Sequence, residues 1–382
     1  MIGWKEQKLS EIMYFNPSTP LNNGSIAKKV TMEHLNSFNR KIQGYVEDTF
    51  KGGAKFKNGD TLVARITPCL ENGKTAYVNF LVYKEVAFGS TEFIVLRAKE
   101  GISDSKFIFY LAISDEFRDT AIQLMTGSSG RQRVETEALK QKVFNLPPLP
   151  EQKAIAEVLA SLDDKIDLLT SQNKTLEDLA QAYFRQWFIG EASVDWEEKG
   201  LDEIADFLNG LPLQKYPHKS GKPMNVIKIK ELNSGYSEST DICSSDVPEK
   251  YIVHPGDVIF SWSGSLVVDI WKYGEGALNQ HLFKVTSDKY PEWFYYFWIK
   301  YHLPEFRVIA ESKATTMGHI QRSHLSAARV FVPSDDEIKT MGDIMQPLIE
   351  KIEHNNAQIL TLQKLRDTLL PKLISGEVRV KL

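Results

Sequence analysis

The chain has 382 residues, of which 42% are hydrophobic and 11% aromatic, and its net charge is −4. That length holds more than one domain's worth of core, and that composition excludes a disordered chain. The negative balance excludes a general polyanion binder, so any nucleic-acid contact needs local positive charge.

Residues 1–12 contain no apolar stretch of the signal-peptide type, and no later run approaches a membrane span, so a cytoplasmic location is expected. Cys69 and Cys243 form neither a disulfide framework nor a zinc spacing. They read as buried small hydrophobes in a reducing compartment. Lys51, Lys55 and Lys57 make a first basic group. Gly52-Gly53, Asn58-Gly59-Asp60 and Asn72-Gly73 are turn signals. They bracket Thr61–Ile66 and Thr75–Val82, which read as strands, and Val86–Leu96 continues in that style. Ser90-Thr91-Glu92, inside that run, sits at the place that Asn279-Gln280-His281 holds later. Ser105–Met125 looks helical. The loop after it, Thr126–Arg133, combines glycines with Arg131 and Arg133, which suit phosphates or guanine edges.

A long helix is predicted from about Glu151 to Phe188. Its apolar seam is Ile155, Leu159, Leu162, Ile166, Leu169, Asn173, Leu176, Ala180, Tyr183 and Trp187. The steps alternate between four and three residues, which is a coiled-coil heptad. Beyond it, Lys215, Lys219, Lys222, Lys228 and Lys230 make another basic group. Pro255-Gly256-Asp257 precedes a strand-like Val258–Trp262. Asn279-Gln280-His281 precedes Leu282–Val285 and offers amides suited to adenine. Pro291–Ala310 looks helical, and its aromatic run Trp293–Trp298 reads as a core face rather than a stacking platform for bases. Lys313, His319 and Arg322 form a basic loop at the place that Arg131 and Arg133 hold earlier. A second long helix starts at Ser334, with Glu337 completing a capping box. Its seam is Met341, Met345, Leu348, Ile352, Asn355, Ile359, Leu362, Arg366, Leu369 and Leu373. Pro347 is expected to kink it or mark its effective start.

The chain says the same thing twice. A shift of 186 positions takes Leu139 to Leu325, Leu146 to Val332, Pro147 to Pro333, Glu151 to Glu337, Leu162 to Leu348 and Gly190 to Gly376. A shift of 192 takes Trp4, Leu9 and Ile12 to Trp196, Leu201 and Ile204. Two similar units imply similar jobs at two places, such as reading a two-part target or gripping two copies of a partner. Helices of ~38 residues are ~57 Å long and exceed what a small domain covers. Two of them bury their stripes on each other if they pair antiparallel. Asn173 and Asn355, if buried, would weaken that seam but fix its register; the alternative is that both sit at a solvated edge. Catalytic motifs do not emerge. Gly73-Lys74-Thr75 follows Pro68 where a P-loop needs glycine, and Ser261–Ser265 lacks the first glycine of a nucleophile elbow.

At Leu146-Pro147-Pro148-Leu149-Pro150-Glu151-Gln152, followed by Lys153-Ala154-Ile155 and the heptad helix, the chain resembles the specificity subunit of type I restriction-modification systems. The second copy keeps Pro333 and Glu337 but has Ile338 in place of the glutamine. The resemblance implies an α+β protein with two tandem α/β target recognition domains and two long helices paired as an antiparallel coiled coil, in a pseudo-twofold repeat. The expected organisation is a first recognition domain at 1–146, a central helix at 147–189, a second recognition domain at 190–332, a C-terminal helix at 333–375, and a tail at 376–382 packing near the N-terminus. The resemblance further implies a non-catalytic reader of a bipartite, asymmetric site in double-stranded DNA. Two methyltransferase subunits would dock on the helices, and restriction subunits would complete the complex. No cofactor is expected on this chain; S-adenosylmethionine, ATP and magnesium would belong to the partners. The residues alone leave two alternatives open: a protein-only coiled-coil adaptor, and the recognition part of a fused restriction-modification enzyme.

Overall fold

The computed structural model describes residues 3–312 and 318–381. Lys313, Thr315, Thr316 and Met317 therefore lie outside the described residues, as do Met1 and Leu382. The chain divides into two compact units: residues 1–167 with 361–382, and residues 168–360.

In the first unit one antiparallel sheet runs in the order Met13–Phe15, Phe93–Ala98, Asp60–Ala64, Thr75–Tyr77. A second runs Val46–Thr49, Ile26–Val30, Ala87–Gly89, Ala54–Phe56, with one parallel pair between Ile26–Val30 and Ala87–Gly89. Lys5–Lys8 pairs with Val143–Leu146. The second unit repeats this topology strand for strand. Asp206–Asn209, Leu282–Thr286, Val258–Ser261 and Val268–Ile270 form its first sheet. Ile242–Ser244, Pro223–Ile227, Gly276–Leu278 and Ile252–Val253 form the other, again with one parallel pair. Glu197–Gly200 pairs with Arg329–Val332.

The repeat extends to single turns. Gly59 and Gly256 have φ of 88° and 98°, a left-handed conformation that favours glycine. In each, the next residue caps its own turn: Asp60 Oδ2 accepts from the Lys57 backbone N–H at 2.8 Å, and Asp257 Oδ2 from that of His254 at 2.7 Å. These turns launch the central, buried strand of each first sheet.

The helical stretch after the first sheet is one piece in one unit and two in the other. Ser105–Ile113 and Asp115–Gln123 are separated by Ser114, whose hydroxyl caps the second helix. Glu292–Ser312 is continuous through Pro304. Its residues Trp293 to Trp298 are all buried, so the aromatic run is core.

The first long helix spans Leu149–Arg185 and ends in a π-turn, Gln186–Gly190. The second spans Asp335–Ser375 and continues through Pro347, which is neither its start nor a break. Ser334 and Glu337 cap it reciprocally: the Ser334 N–H donates to Glu337 Oε2 at 2.9 Å, and the Glu337 N–H to Ser334 Oγ at 3.4 Å. Within the first unit the helices run antiparallel, with Asp163 facing Arg366 and Glu151 facing Arg379. Within the second unit Asn355 Nδ2 donates to Asn173 Oδ1 at 2.8 Å, and Asn173 Nδ2 donates to Asn356 Oδ1 at 2.8 Å. Asn355 is fully buried, so this polar step sits inside the seam.

Ile155 and Leu159 are fully buried in the first unit's core, while Leu162, Ile166, Leu176, Leu348, Ile352, Ile359, Leu362 and Leu369 are half-buried. The seam drifts where the helix ends meet the second unit. Phe184 and Phe188 enter the second unit's core, whereas the heptad positions Tyr183 and Trp187 stack on each other at its margin. Likewise Ile338 and Ile349, off the seam, are buried beside the seam residue Met345, while the seam residues Met341 and Leu348 are only partly so. An α-helix drifts ~20° per heptad from a 3.5-residue repeat, and here the helix ends face globular cores rather than another helix.

The Glu-Gln pair of the first helix has a structural role. Glu151 Oε2 accepts from the Trp4 indole N–H at 3.1 Å, and Arg379 pairs with the same carboxylate. Gln152, 1% exposed, accepts from the Asp104 N–H at 3.1 Å and donates to the Pro147 carbonyl at 3.0 Å. The second unit keeps the first half of this device: the Trp196 indole donates to Glu337 at 3.2 Å. The tail packs in the first unit, where Arg379 lies 5.5 Å over the Trp4 ring and Val380 touches the core.

Glu292, at the start of its helix, has a buried Oε1 with no hydrogen-bond partner among the described residues. Burial, then the carboxylates of Glu353 and Asp257, push its pKa from an ordinary 4.5 to about 7. Asp257 is itself paired with Lys284 at 2.7 Å. The folded state therefore holds a proton that the unfolded chain has lost between pH 4.5 and about 7. Stability from this group is full below that window and lost as pH rises through it. We expect Glu292→Gln to stabilise the protein at pH 8 by about 1–2 kcal/mol, discounted for partial solvent access, and to have almost no effect below about pH 4.5. Thermal unfolding at both pH values checks this; equal shifts at both would contradict it.

Candidate nucleic-acid interface

In each unit the strand after the glycine turn ends against the same two segments. The Arg65 N–H donates to the Glu92 carbonyl at 3.0 Å, and the Trp262 N–H to the His281 carbonyl at 3.3 Å. The Val134 N–H donates to the Arg65 carbonyl, and the Ile320 N–H to that of Trp262, both at 2.9 Å. The Thr67 N–H donates to the Gln132 carbonyl at 3.0 Å, and the Gly264 N–H to that of Gly318 at 2.8 Å. Isolated bridges join Ile66 with Arg133 and Ser263 with His319. One backbone frame therefore brings together Arg65, Glu92 and Arg133 in the first unit, and Trp262, His281 and His319 in the second.

The side chains on this frame have nothing in common. Arg133 clasps Glu92 side-on, Nη2 to Oε1 at 2.7 Å and Nε to Oε2 at 2.9 Å. Arg65 Nε donates to Glu92 Oε2 at 3.2 Å. The hydrogen bond from Arg133, with that from Arg65, holds the Glu92 carboxyl below its ordinary range against the opposing effect of burial. The cluster carries one net positive charge and stays open: Arg133's side chain is 45% exposed and that of Glu92 21%. In the second unit the Trp262 ring lies 5.9 Å from that of His281 and 6.3 Å from that of His319. The Trp262 indole donates to Asn209 Oδ1 at 2.9 Å, and His281 Nδ1 lies 2.9 Å from Ser263 Oγ.

In each unit a cleft is lined in part by the segment that meets this strand end, through Thr91 in the first and Asn279 in the second. That of the first unit, about 320 Å³, is lined by Arg65, Thr91, Lys55 and Ser18 among others. That of the second, about 630 Å³, is lined by Asn279, Lys228, His218 and Asp241 among others.

The residues singled out in the sequence fall around these clusters with different exposures. Arg131 is exposed on its loop. Ser90 Oγ accepts from the Glu92 N–H at 3.1 Å, shaping the turn, and Thr91 is exposed beside it. Asn279 is 4% exposed, and its Oδ1 accepts from the His281 N–H at 3.2 Å. Gln280 Nε2 lies 3.3 Å from His281 Nε2. Arg322 donates to the Phe207 carbonyl at 2.9 Å and lies 5.7 Å over the Phe283 ring, so its side chain is held on the framework. Lys228 is paired with Asp241. Arg65 and Trp262 had no sequence signal beyond their place at a strand end.

A tandem fold with a duplicated frame and unlike side chains defines a two-module recognition protein. The profile described as the type I restriction modification DNA specificity domain matches this chain twice, over residues 1–178 and 193–364. The chain therefore belongs to the family of type I restriction-modification DNA specificity subunits. It is 28% identical to the MjaIX specificity subunit of Methanocaldococcus jannaschii over 74% of this chain and 71% of that one. It is 22% identical to the HindI specificity subunit of Haemophilus influenzae, covering 99% of this chain and 100% of that one. The crystal structure of the type I S subunit from M. genitalium shares the fold, with a TM-score of 0.55 at 17% identity over 97% of this chain and 96% of that one. No described helix is long and apolar enough to cross a membrane.

Proposed function

We propose that this chain is the non-catalytic reader of a bipartite, asymmetric site in double-stranded DNA, one half per globular part. The observation that carries this reading is the duplicated frame holding Arg65, Glu92 and Arg133 in one unit and Trp262, His281 and His319 in the other. One backbone geometry can approach the groove in one way, and different side chains then select different bases. The organisation proposed is a first reader at 1–146, a second at 190–332, and helices at 147–189 and 333–375 with the tail at 376–382. The helices are the docking surface for two methyltransferase subunits, through which restriction subunits join. S-adenosylmethionine, ATP and magnesium serve the partners, in the cytoplasm.

The test is to purify the chain with its methyltransferase subunit and measure DNA binding against salt, then map methylated adenines in cells with and without it. The expected result is sequence-selective binding that weakens steeply with salt, and a two-part methylated site that disappears with this chain. Salt-insensitive association with proteins alone, or an unchanged methylation map, would overturn it in favour of an adaptor.

A further inference from the structure

The first unit's cluster has the form of a buttressed base contact. Side-on pairing commits Nε and one Nη2 hydrogen of Arg133 to Glu92. The end of the guanidinium, formed by Nη1 and the second Nη2 hydrogen, has no partner among the described residues. Two parallel N–H donors in a fixed plane match the O6 and N7 acceptors of guanine in the major groove. Arg65 binds the same carboxylate through Oε2, so Glu92 cannot rotate away without breaking two ion pairs. Fixing Glu92 fixes the plane of Arg133 before any DNA arrives, which lowers the ordering cost of binding. The neighbouring cleft keeps space open beside Arg65 and Thr91.

The second unit separates this role from a framework role. All the backbone bonds survive there with a tryptophan and two histidines, so the frame does not need the three charged residues. A trio replaced as a set, on an unchanged frame, is a reading head rather than a structural clamp.

We propose that Arg133 reads a guanine in the half-site of the first globular part, with Glu92 and Arg65 as its positioning residues. The assignment rests on the DNA-reading function proposed above and names the residue and base at one place in it. The second part, without such a fork, reads its half-site by other chemistry.

The experiment uses the complex of this chain with its methyltransferase subunit, and a DNA panel in which each base pair of the methylated site is varied singly. Arg133→Lys keeps the charge but loses the fork. The expected result is a ten- to hundredfold loss of affinity for the native site. Preference should disappear at one G·C pair of the first half-site, with unchanged binding to unrelated DNA and an unchanged salt slope. Glu92→Gln should give a milder loss confined to the same pair, which a merely structural role would not produce. The second half-site reports folding in the same measurement, because its preferences should stay intact. Weaker binding to all sequences would mark a phosphate contact and overturn the proposal. So would loss of preference in both halves, or wild-type selectivity in both variants. If the wild-type complex itself showed no sequence preference, the function reading would fail, and that outcome is read before any variant is tested.

Discussion

Exchanging residues 1 to about 145 for the corresponding part of a relative will replace one half of the methylated site and leave the other half as it was. The expectation follows from the sheets. Both four-stranded sheets of the first unit, and every residue of the Arg65–Glu92–Arg133 cluster, lie before residue 146. The second unit holds its own copy of both sheets and of the backbone frame, with Trp262, His281 and His319 in place of the cluster. Each mismatched base pair costs about 1–3 kcal/mol, roughly additively, so a half-site changed at even two positions should lower affinity for the old site about a thousandfold. The exchanged part must still meet residues it leaves behind. Ile155, Ala156 and Leu159 of the first long helix, with Leu373 and Ile374 of the second, belong to the core that also contains Phe107, Leu111 and Phe144. A donor that fills this interface poorly will fold poorly, and its soluble fraction must be measured beside its methylation map. A soluble, active exchange that altered both halves, or neither, would refute the division of labour.

Much of this architecture was legible because it rests on patterns carried along the chain. The heptad seam follows from apolar residues alone, and Ser334 with Glu337 marks a helix start from two residues. The strands after Gly59 and Gly256 are announced by turn chemistry. The reading head was legible only in part. Its three positions come from three segments, and their offsets between the units differ: 197 from Arg65 to Trp262, 189 from Glu92 to His281, and 186 from Arg133 to His319. Loops of unequal length separate them, so no single shift aligns all three. Sheet pairing restores the equivalence, because the hydrogen-bonded frame ignores how much chain lies between its parts. Arg322 shows what sequence reasoning leaves out: a basic residue in a basic loop whose guanidinium also serves a backbone carbonyl and a phenylalanine ring. The ends of the long helices in the second unit depart from the heptad for a third reason. A seam predicts what another helix wants, and Phe184 and Phe188 answer to a globular core.

Asp163→Ala will destabilise the first unit more than any surface substitution in it, by about 3–5 kcal/mol. Asp163 is 4% exposed, on the first long helix. Its Oδ2 accepts from the Tyr110 hydroxyl at 2.7 Å, and its Oδ1 from Arg366 Nη1 at 2.9 Å. One carboxylate thus ties the recognition part to both long helices. Burial and the adjacent Asp163 carboxylate hold the Tyr110 phenol well above its ordinary range, so it remains a donor at any working pH. Without Asp163, the Arg366 side chain, 14% exposed, keeps among the described residues only the Asp367 carboxylate, whose own side chain is 62% exposed. The buried phenol loses its acceptor as well. Asp163→Asn keeps one acceptor without the charge and should cost about half as much. Arg40 holds the next turn through Asp164 at 2.6 Å and Asp167 at 2.8 Å, so the helix should not detach altogether. Because the chain has two units, one overall midpoint would mix their transitions. Hydrogen exchange in Ser105–Ile113, compared with exchange in Glu292–Ser312, isolates the effect: protection should fall in the first helix and hold in the second. Adding Arg366→Ala to Asp163→Ala should cost less than the two single losses together, since the second change removes the stranded cation. A strictly additive double variant would mean that the pair contributes nothing as a pair, and that the link between the recognition part and the helices is made by apolar packing alone.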